Sequence, residues 1–348
     1  MRHRWRTQAG VAAETAASVA EPTTEEATVS GDDQGEEDVG SGGDPEHLII
    51  EDEFLDSAEE LREHFDSRFA EPRQIRMDRF VWDYWHVPNQ YTLIRTPAED
   101  FFPRTLYESL EDALLSYGEN KLGCRSISPV WLSYYVDGCS QELHADNPHG
   151  PWAFVLSLTD WERRRFSGGE TMILQPHVLD YWRGFEARRG MELEDLVTQV
   201  EPDFNRLTVF DPRLPHGVRP VRGTQDPREA RLVLHGWFTE PTPFFTGALE
   251  EHEAVASLNA ALEPLFEEVA TFSPSTGTTT VRLTISGSTG AVTDLEWLTD
   301  TLIEVPGGDE PGAVRDQVQR TIVRHLGGAT FPTSDKGDTY LTMPFVFD

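Results

Sequence analysis

Between residues 125 and 239 the chain is a succession of short apolar runs separated by turn residues, and this pattern restricts the fold more than any other feature. The runs cover residues 130–136, 152–158, 170–174, 206–210, 217–221 and 231–238, with Gly, Pro and Asp between them. Runs this short have strand length; a helix would need a longer stretch to bury its stripe. Many short strands at close spacing predict a mainly β architecture, a sandwich or barrel. The interval 180–200 breaks the series. It is charged, reads as partly helical, and is expected to be an insertion.

On either side the pattern changes. Residues 1–45 are rich in Ala, Thr, Glu, Asp and Gly and nearly free of large apolar side chains. Such a stretch cannot offset its ordering entropy by burial, so it is expected to be a disordered acidic tail, either solubilising or a docking arm. Order is expected from Leu48-Ile49-Ile50, a short strand. Ser57 with Glu60 has the form of a capping box, and Leu61, Phe65 and Phe69 follow at helical spacing. The aromatic cluster Phe80-Val81-Trp82 and Tyr84-Trp85 reads as extended chain packed on the sheet, a substrate groove being the alternative. Residues 105–117 form a second helix, with Leu106, Leu110, Leu114 and Tyr117 on one face.

After Pro243 the composition shifts once more. A helix over 249–266 leads through a Ser/Thr/Gly stretch at 273–279 to a strand in which Val281, Leu283 and Ile285 alternate. A turn at 287–290 and a second strand follow. Pro311 then opens a helix with the stripe Val314, Val318, Ile322 and Leu326, and Gly327-Gly328 ends it. Leu341, Met343, Phe345 and Phe347 alternate in a last strand. The expected organisation is therefore a tail (1–45), a β-rich domain (46–245, core 125–240) and a small α+β domain (249–348).

Charge narrows the partners. Against 29 Lys and Arg stand 61 Asp and Glu, a net charge of −32 over 348 residues. Nucleic acid and anionic membrane surfaces would repel such a chain, whereas basic substrates or basic partner segments remain compatible. Cys124 and Cys139 are the only cysteines, too few for a disulfide framework or a four-cysteine zinc site, so the reducing cytoplasm is expected. The amino terminus has no apolar h-region, and no run is long enough to cross a bilayer.

The chemistry centres on His144-Ala145-Asp146 and on His216, seventy-two residues further on (216 − 144). A histidine and a carboxylate two apart on extended chain point the same way. A second imidazole from another strand completes a two-histidine, one-carboxylate face, the set that suits non-haem Fe(II) and leaves positions for a co-substrate and dioxygen. Three further features sharpen a motif that is weak alone. Ser167-Gly168-Gly169-Glu170-Thr171 makes a tight turn into a strand, and Leu214-Pro215-His216-Gly217-Val218 sets the distal histidine just inside one. Arg231 opens the last run, where a bidentate guanidinium could hold the far carboxylate of a 2-oxo dicarboxylic acid, and Trp237 stands six residues after it.

With these pieces in order, the segment from about 125 to 238 resembles the prolyl 4-hydroxylase branch of the 2-oxoglutarate- and Fe(II)-dependent dioxygenases. The resemblance runs through Tyr135-Val136-Asp137-Gly138, His144-Ala145-Asp146-Asn147-Pro148, Ser167-Gly168-Gly169-Glu170, Asp203-Phe204-Asn205-Arg206-Leu207, Pro215-His216-Gly217-Val218-Arg219-Pro220, and Arg231 with Trp237. It implies a double-stranded β-helix (jelly roll) with flanking helices, holding Fe(2+) through His144, Asp146 and His216. It implies 2-oxoglutarate as co-substrate, bound by Arg231 and hydrogen-bonded by Tyr135 or its neighbour Tyr134, with L-ascorbic acid as a further cofactor. The carboxylate of Asp146 favours hydroxylation, because related halogenases carry a small residue there. One departure is the gap of fifteen residues from His216 to Arg231 (231 − 216), which makes Arg228 a rival anchor. His149, His177 and His235 are taken as outlying or surface histidines, His149 being the one nearest the metal. Trp237 is taken as core.

The implied activity is hydroxylation of a prolyl or other side chain in a protein or peptide, with release of succinate and CO2. The alternatives are the same chemistry on a free amino acid or small metabolite, or a non-catalytic β-helix scaffold. The final domain resembles TonB-type carboxy-terminal domains, which implies a protein partner bound along a strand edge; a packing or dimerisation appendage is the other reading.

Overall fold

A computed structural model describes residues 46–71, 73–74, 81–146, 149–179, 193–304 and 313–347. The tail, Phe80, Asn147-Pro148, residues 180–192 of the expected insertion and Pro311 lie outside these residues. The first part of the chain contains β1 (Leu48–Glu51), α1 (Ala58–Phe69), β2 (Asp83–Val87), β3 (Tyr91–Pro97), α2 (Ala98–Phe101), α3 (Arg104–Tyr117), β4 (Cys124–Ile127), β5 (Trp131–Tyr135) and β6 (Ser140–His144). There follow β7 (Trp152–Ser157), β8 (Thr171–Leu174), α4 (Pro176–Leu179), β9 (Val197–Val200), β10 (Leu207–Phe210), β11 (His216–Val218) and β12 (Arg231–Pro241).

These strands form one antiparallel sheet in the order β1-β10-β7-β12-β5-β3-β6-β11-β8-β9, with β2 on β3 and β4 on β12. The sheet curls into a jelly roll: β10-β7-β12-β5 makes one wall, β6-β11-β8-β9 the other, and β3 joins them. Strand alternation sorts the side chains. On β12, Arg231, Val233, His235 and Trp237 line the cavity between the walls, while Leu232, Leu234 and Phe238 are wholly buried on the back. Leu61 and Phe65 of α1 and Leu110 and Leu114 of α3 join that back face in one core. Each such side chain contributes about 1.5–3 kcal/mol by leaving water.

Three sequence expectations are corrected here. The interval 180–200 is not simply an insertion, because Val197–Val200 pairs with β8 and completes the second wall. Ser57 stands before α1 but makes no side-chain cap; its hydroxyl meets Ser109 Oγ at 3.2 Å instead. In the aromatic cluster Trp82 packs in the core, yet Tyr84 and Trp85 are exposed.

The second part contains β13 (Phe244–Gly247), α5 (Glu251–Val269), β14 (Ser275–Ile285), β15 (Val292–Asp300), β16 (Ile303–Glu304), α6 (Ala313–Gly327) and β17 (Thr339–Phe347). The sheet order is β13-β17-β14-β15, with β16 beside β14, and the apolar stripes of α5 and α6 share a separate core with the alternating residues of β14 and β17. The Ser/Thr/Gly stretch is largely strand, since threonines are at home on a pleated surface. The chain changes sheets just before Phe244, and the two parts touch: Arg282 donates to the Asn120 carbonyl at 2.9 Å, and Arg213 to Thr276 Oγ1 at 3.0 Å. Among the described residues no helix is long and apolar enough to cross a membrane.

Candidate metal centre

His144 ends β6 and His216 begins β11, and the two are direct partners across the antiparallel ladder. Their imidazoles therefore rise from the same face of adjacent strands, ring centres 4.6 Å apart. Gly217 allows this closeness, since a Cβ there would stand 2.5 Å from the Gln141 carbonyl oxygen. Asp146, two residues past His144, returns to the same side, and its backbone N–H donates to the Pro212 carbonyl at 2.8 Å. One ligating atom from each of the three residues lies within 4.8 Å of the others.

The protonation pattern suits a cation. Nδ1 of His144 donates to the Glu142 carbonyl at 2.8 Å, and Nδ1 of His216 to the Leu214 carbonyl at 2.9 Å. Carbonyls only accept, so each ring keeps its hydrogen on Nδ1 and turns the Nε2 lone pair inward. Those Nε2 atoms lie 3.6 and 3.5 Å from the Asp146 carboxylate. Two nitrogen donors and a carboxylate, half-enclosed, make a facial set for a divalent transition metal.

At the other end of the same cavity, of ≈ 550 Å³, lies Arg231. Only 1% exposed, its guanidinium donates to Thr171 Oγ1 at 3.0 Å and lies 4.7 Å from the centre of the Tyr135 ring. Its Nε has no hydrogen-bond partner, and no carboxylate of the described residues lies within ion-pair distance. Burial pushes the Arg231 pKa down and the Tyr135 phenol up. A buried guanidinium with no anion is costly, so this end of the cavity fits the carboxylate of a ligand. Arg228, the rival in sequence, is exposed and already paired with Asp226 at 2.8 Å. Tyr135 lines the cavity, whereas Tyr134 points away into an aromatic cluster, 4.9 Å from Trp82. The turn before β8 has positive φ at Gly168 and Gly169; at Gly168 a Cβ would meet the Pro220 carbonyl at 2.0 Å, so the glycine serves backbone geometry.

No family model matches this chain, and no curated protein does. Solved structures do. A prolyl-4-hydroxylase from Pseudomonas putida is 17% identical over 56% of this chain and 92% of its own, with a TM-score of 0.39. A prolyl hydroxylase from Trichoplax adhaerens, in complex with a hypoxia inducible factor peptide fragment, is 16% identical over 55% and 83%, TM-score 0.37. An oxidoreductase of the 2OG-Fe(II) oxygenase family from Burkholderia pseudomallei is 16% identical over 55% and 84%, TM-score 0.36. These likenesses are slight, and both the fold and the chemistry rest on the chain's own strands and site residues.

Two groups of the site were misjudged or missed in sequence. Trp237 is cavity wall, not core: its indole Nε1 donates to Asp146 Oδ2 at 3.2 Å, and His149 lies against it with ring centres 4.6 Å apart. The signal was its parity with Arg231. His235, of the same parity, lines the cavity and meets Ser133 Oγ at 2.8 Å. His149 stands beside the triad without joining it, and His177 sits on α4 outside the cavity.

Proposed function

We propose that this protein is a 2-oxoglutarate- and Fe(II)-dependent dioxygenase that hydroxylates a C–H bond. The observation that carries this reading is the pairing, on one cavity, of a two-histidine, one-carboxylate face with a buried guanidinium that has no anion of its own. His144, Asp146 and His216 would hold the metal. Bound there, Fe(II) supplies the redox chemistry that couples decarboxylation of the 2-oxo acid by dioxygen to oxidation of the substrate, giving succinate, CO2 and an alcohol. Arg231, rather than Arg228, binds the far carboxylate of 2-oxoglutarate with help from Thr171, and the Tyr135 phenol adds a hydrogen bond. The carbonyls of Glu142 and Leu214 fix the imidazoles, and Trp237 fixes the carboxylate.

The substrate we favour is a prolyl or other side chain of a protein or peptide, by likeness of fold alone. A free amino acid or small metabolite is the second reading. The part from 249 to 348 is proposed as a separate module for a protein partner, a reading supported by β15, which ends its sheet.

The test is succinate formation from 2-oxoglutarate by protein loaded anaerobically with Fe(II), with ascorbate supplied, after oxygen is admitted, beside His144→Ala. Iron-dependent succinate that vanishes in the variant is expected. No succinate, together with no binding of Fe(II) or 2-oxoglutarate by calorimetry, would overturn the reading in favour of a scaffold.

A further inference from the structure

Arg231 is not the only guanidinium in the cavity. Arg95, on β3, lines it as well. Its guanidinium carbon lies 4.4 Å from the centre of the Trp85 ring and 4.1 Å from that of Trp131. Across the ladder Arg95 pairs with Ser133, whose other neighbour is Val233, so it stands one inward-facing row from the Arg231–Tyr135 pair. Its Nε is buried without a partner, and no carboxylate of the described residues is within ion-pair distance. Asp83, opposite it on β2, is exposed and acts only as a more distant charge.

Two indoles against one guanidinium hold it by cation–π attraction, and neither ring accepts its N–H groups, which are left for a ligand. That fork matches a carboxylate, and a side chain so held loses little further freedom on binding one. Charge points the same way. The formal charges lining the cavity are Arg95, Arg231 and Asp146. His235 adds none, because burial, reinforced by Arg95 and Arg231, pushes its pKa down to about 3. A divalent metal and a dianionic 2-oxo acid cancel each other, and Arg231 cancels Asp146. Arg95 alone is left over.

We infer that Arg95, held against Trp85 and Trp131, binds a carboxylate of the prime substrate, which makes the substrate an acid: a free α-carboxylate or an acidic side chain. The inference rests on the dioxygenase reading for what fills the rest of the cavity. It also reverses what composition allowed, since a chain this acidic is compatible with basic partners, whereas its cavity carries a surplus positive charge.

The experiment uses the full chain loaded with Fe(II) and 2-oxoglutarate without oxygen, with tryptophan emission as the readout, because Trp85 and Trp131 flank the site. N-acetyl amino acids are titrated in pairs, each as free acid and as amide. The amides of N-acetyl-aspartate and N-acetyl-glutamate separate an acidic side chain from a terminal carboxylate. We expect carboxylate-bearing probes to bind at least about tenfold tighter than their neutral partners. In Arg95→Gln that preference falls below about twofold while 2-oxoglutarate affinity is unchanged. Trp85→Leu, at the more exposed wall, should weaken the preference in part and guards against a misfolded Arg95 variant. Acids and amides binding alike, no probe binding, or a preference that survives Arg95→Gln would overturn the inference. Loss of 2-oxoglutarate binding in Arg95→Gln would do so too, by moving Arg95 into the co-substrate site. Failure of the wild type to bind 2-oxoglutarate at all would instead be a failure of the dioxygenase reading.

Discussion

Two buried arginines, one in each part of the chain, face opposite circumstances. Arg315 on α6 donates through Nε to Asp300 Oδ2 at 2.7 Å, Gln319 donates to the same oxygen at 2.7 Å, and the other oxygen takes the Leu302 N–H. Every charge there has its counterpart within the chain. Arg231 is more deeply buried and has the Thr171 hydroxyl and the Tyr135 side chain beside it, with Glu170 only as a more distant charge. A fold that can satisfy one buried guanidinium and leaves another unsatisfied, over a cavity, is organised around something that arrives later.

That contrast can be broken in four ways, the largest effect first. Arg315→Met leaves Asp300 buried without its cation and should cost about 3–5 kcal/mol of stability, measured by urea unfolding, with 2-oxoglutarate affinity of the folded protein unchanged. Arg231→Met should do the reverse: 2-oxoglutarate binding weakens roughly 100-fold by calorimetry, while the melting temperature holds or rises because a lone buried charge has gone. If both variants unfold alike, the two arginines do not differ in kind.

A third buried charge sharpens the comparison through pH. Burial alone would push the Asp211 carboxyl up, but hydrogen bonds from Arg213 and His47 outweigh it and hold it at about 2, below its ordinary 3.8. A depressed carboxylate stabilises the fold fully above the unfolded value, and this is lost as pH falls through the folded one. Roughly 2 kcal/mol should therefore disappear between about pH 4 and pH 2, and Asp211→Asn should flatten that part of the unfolding curve. The smallest effect concerns Trp237→Phe, which removes the hydrogen bond to Asp146 and keeps the ring. Iron affinity should fall about tenfold, read by competition with a chelator, with little change in stability.

Much of this was legible in sequence, and what was not has a common cause. Strand alternation alone placed His144 and Asp146 on one side and gave Arg231 its strand. Register was beyond reach: nothing local says that His216 pairs with His144, or that Arg95 from the hairpin before the core stands beside Ser133. Trp237 read as core because a tryptophan in an apolar run usually is, and only its neighbour across the cavity gives its N–H a partner. Val197–Val200 was hidden by the charged stretch before it, and Ser57 had the spacing of a cap but found Ser109 instead.

Residues 211–214 deserve a last consequence. Asp211 is bonded to His47, the Pro212 carbonyl takes the Asp146 N–H, and the Leu214 carbonyl orients His216. Between them Arg213 reaches into the second sheet, to Thr276 Oγ1 and to the Thr301 carbonyl at 2.9 Å. Four consecutive residues thus rivet two ligand candidates to a sheet whose own sequence begins thirty residues later (244 − 214). The composition break near Pro243 invites a truncation there, and such a cut would sever the brace rather than trim a passenger. Whatever tugs on the second sheet pulls, through one arginine, on the hinge pins of the first.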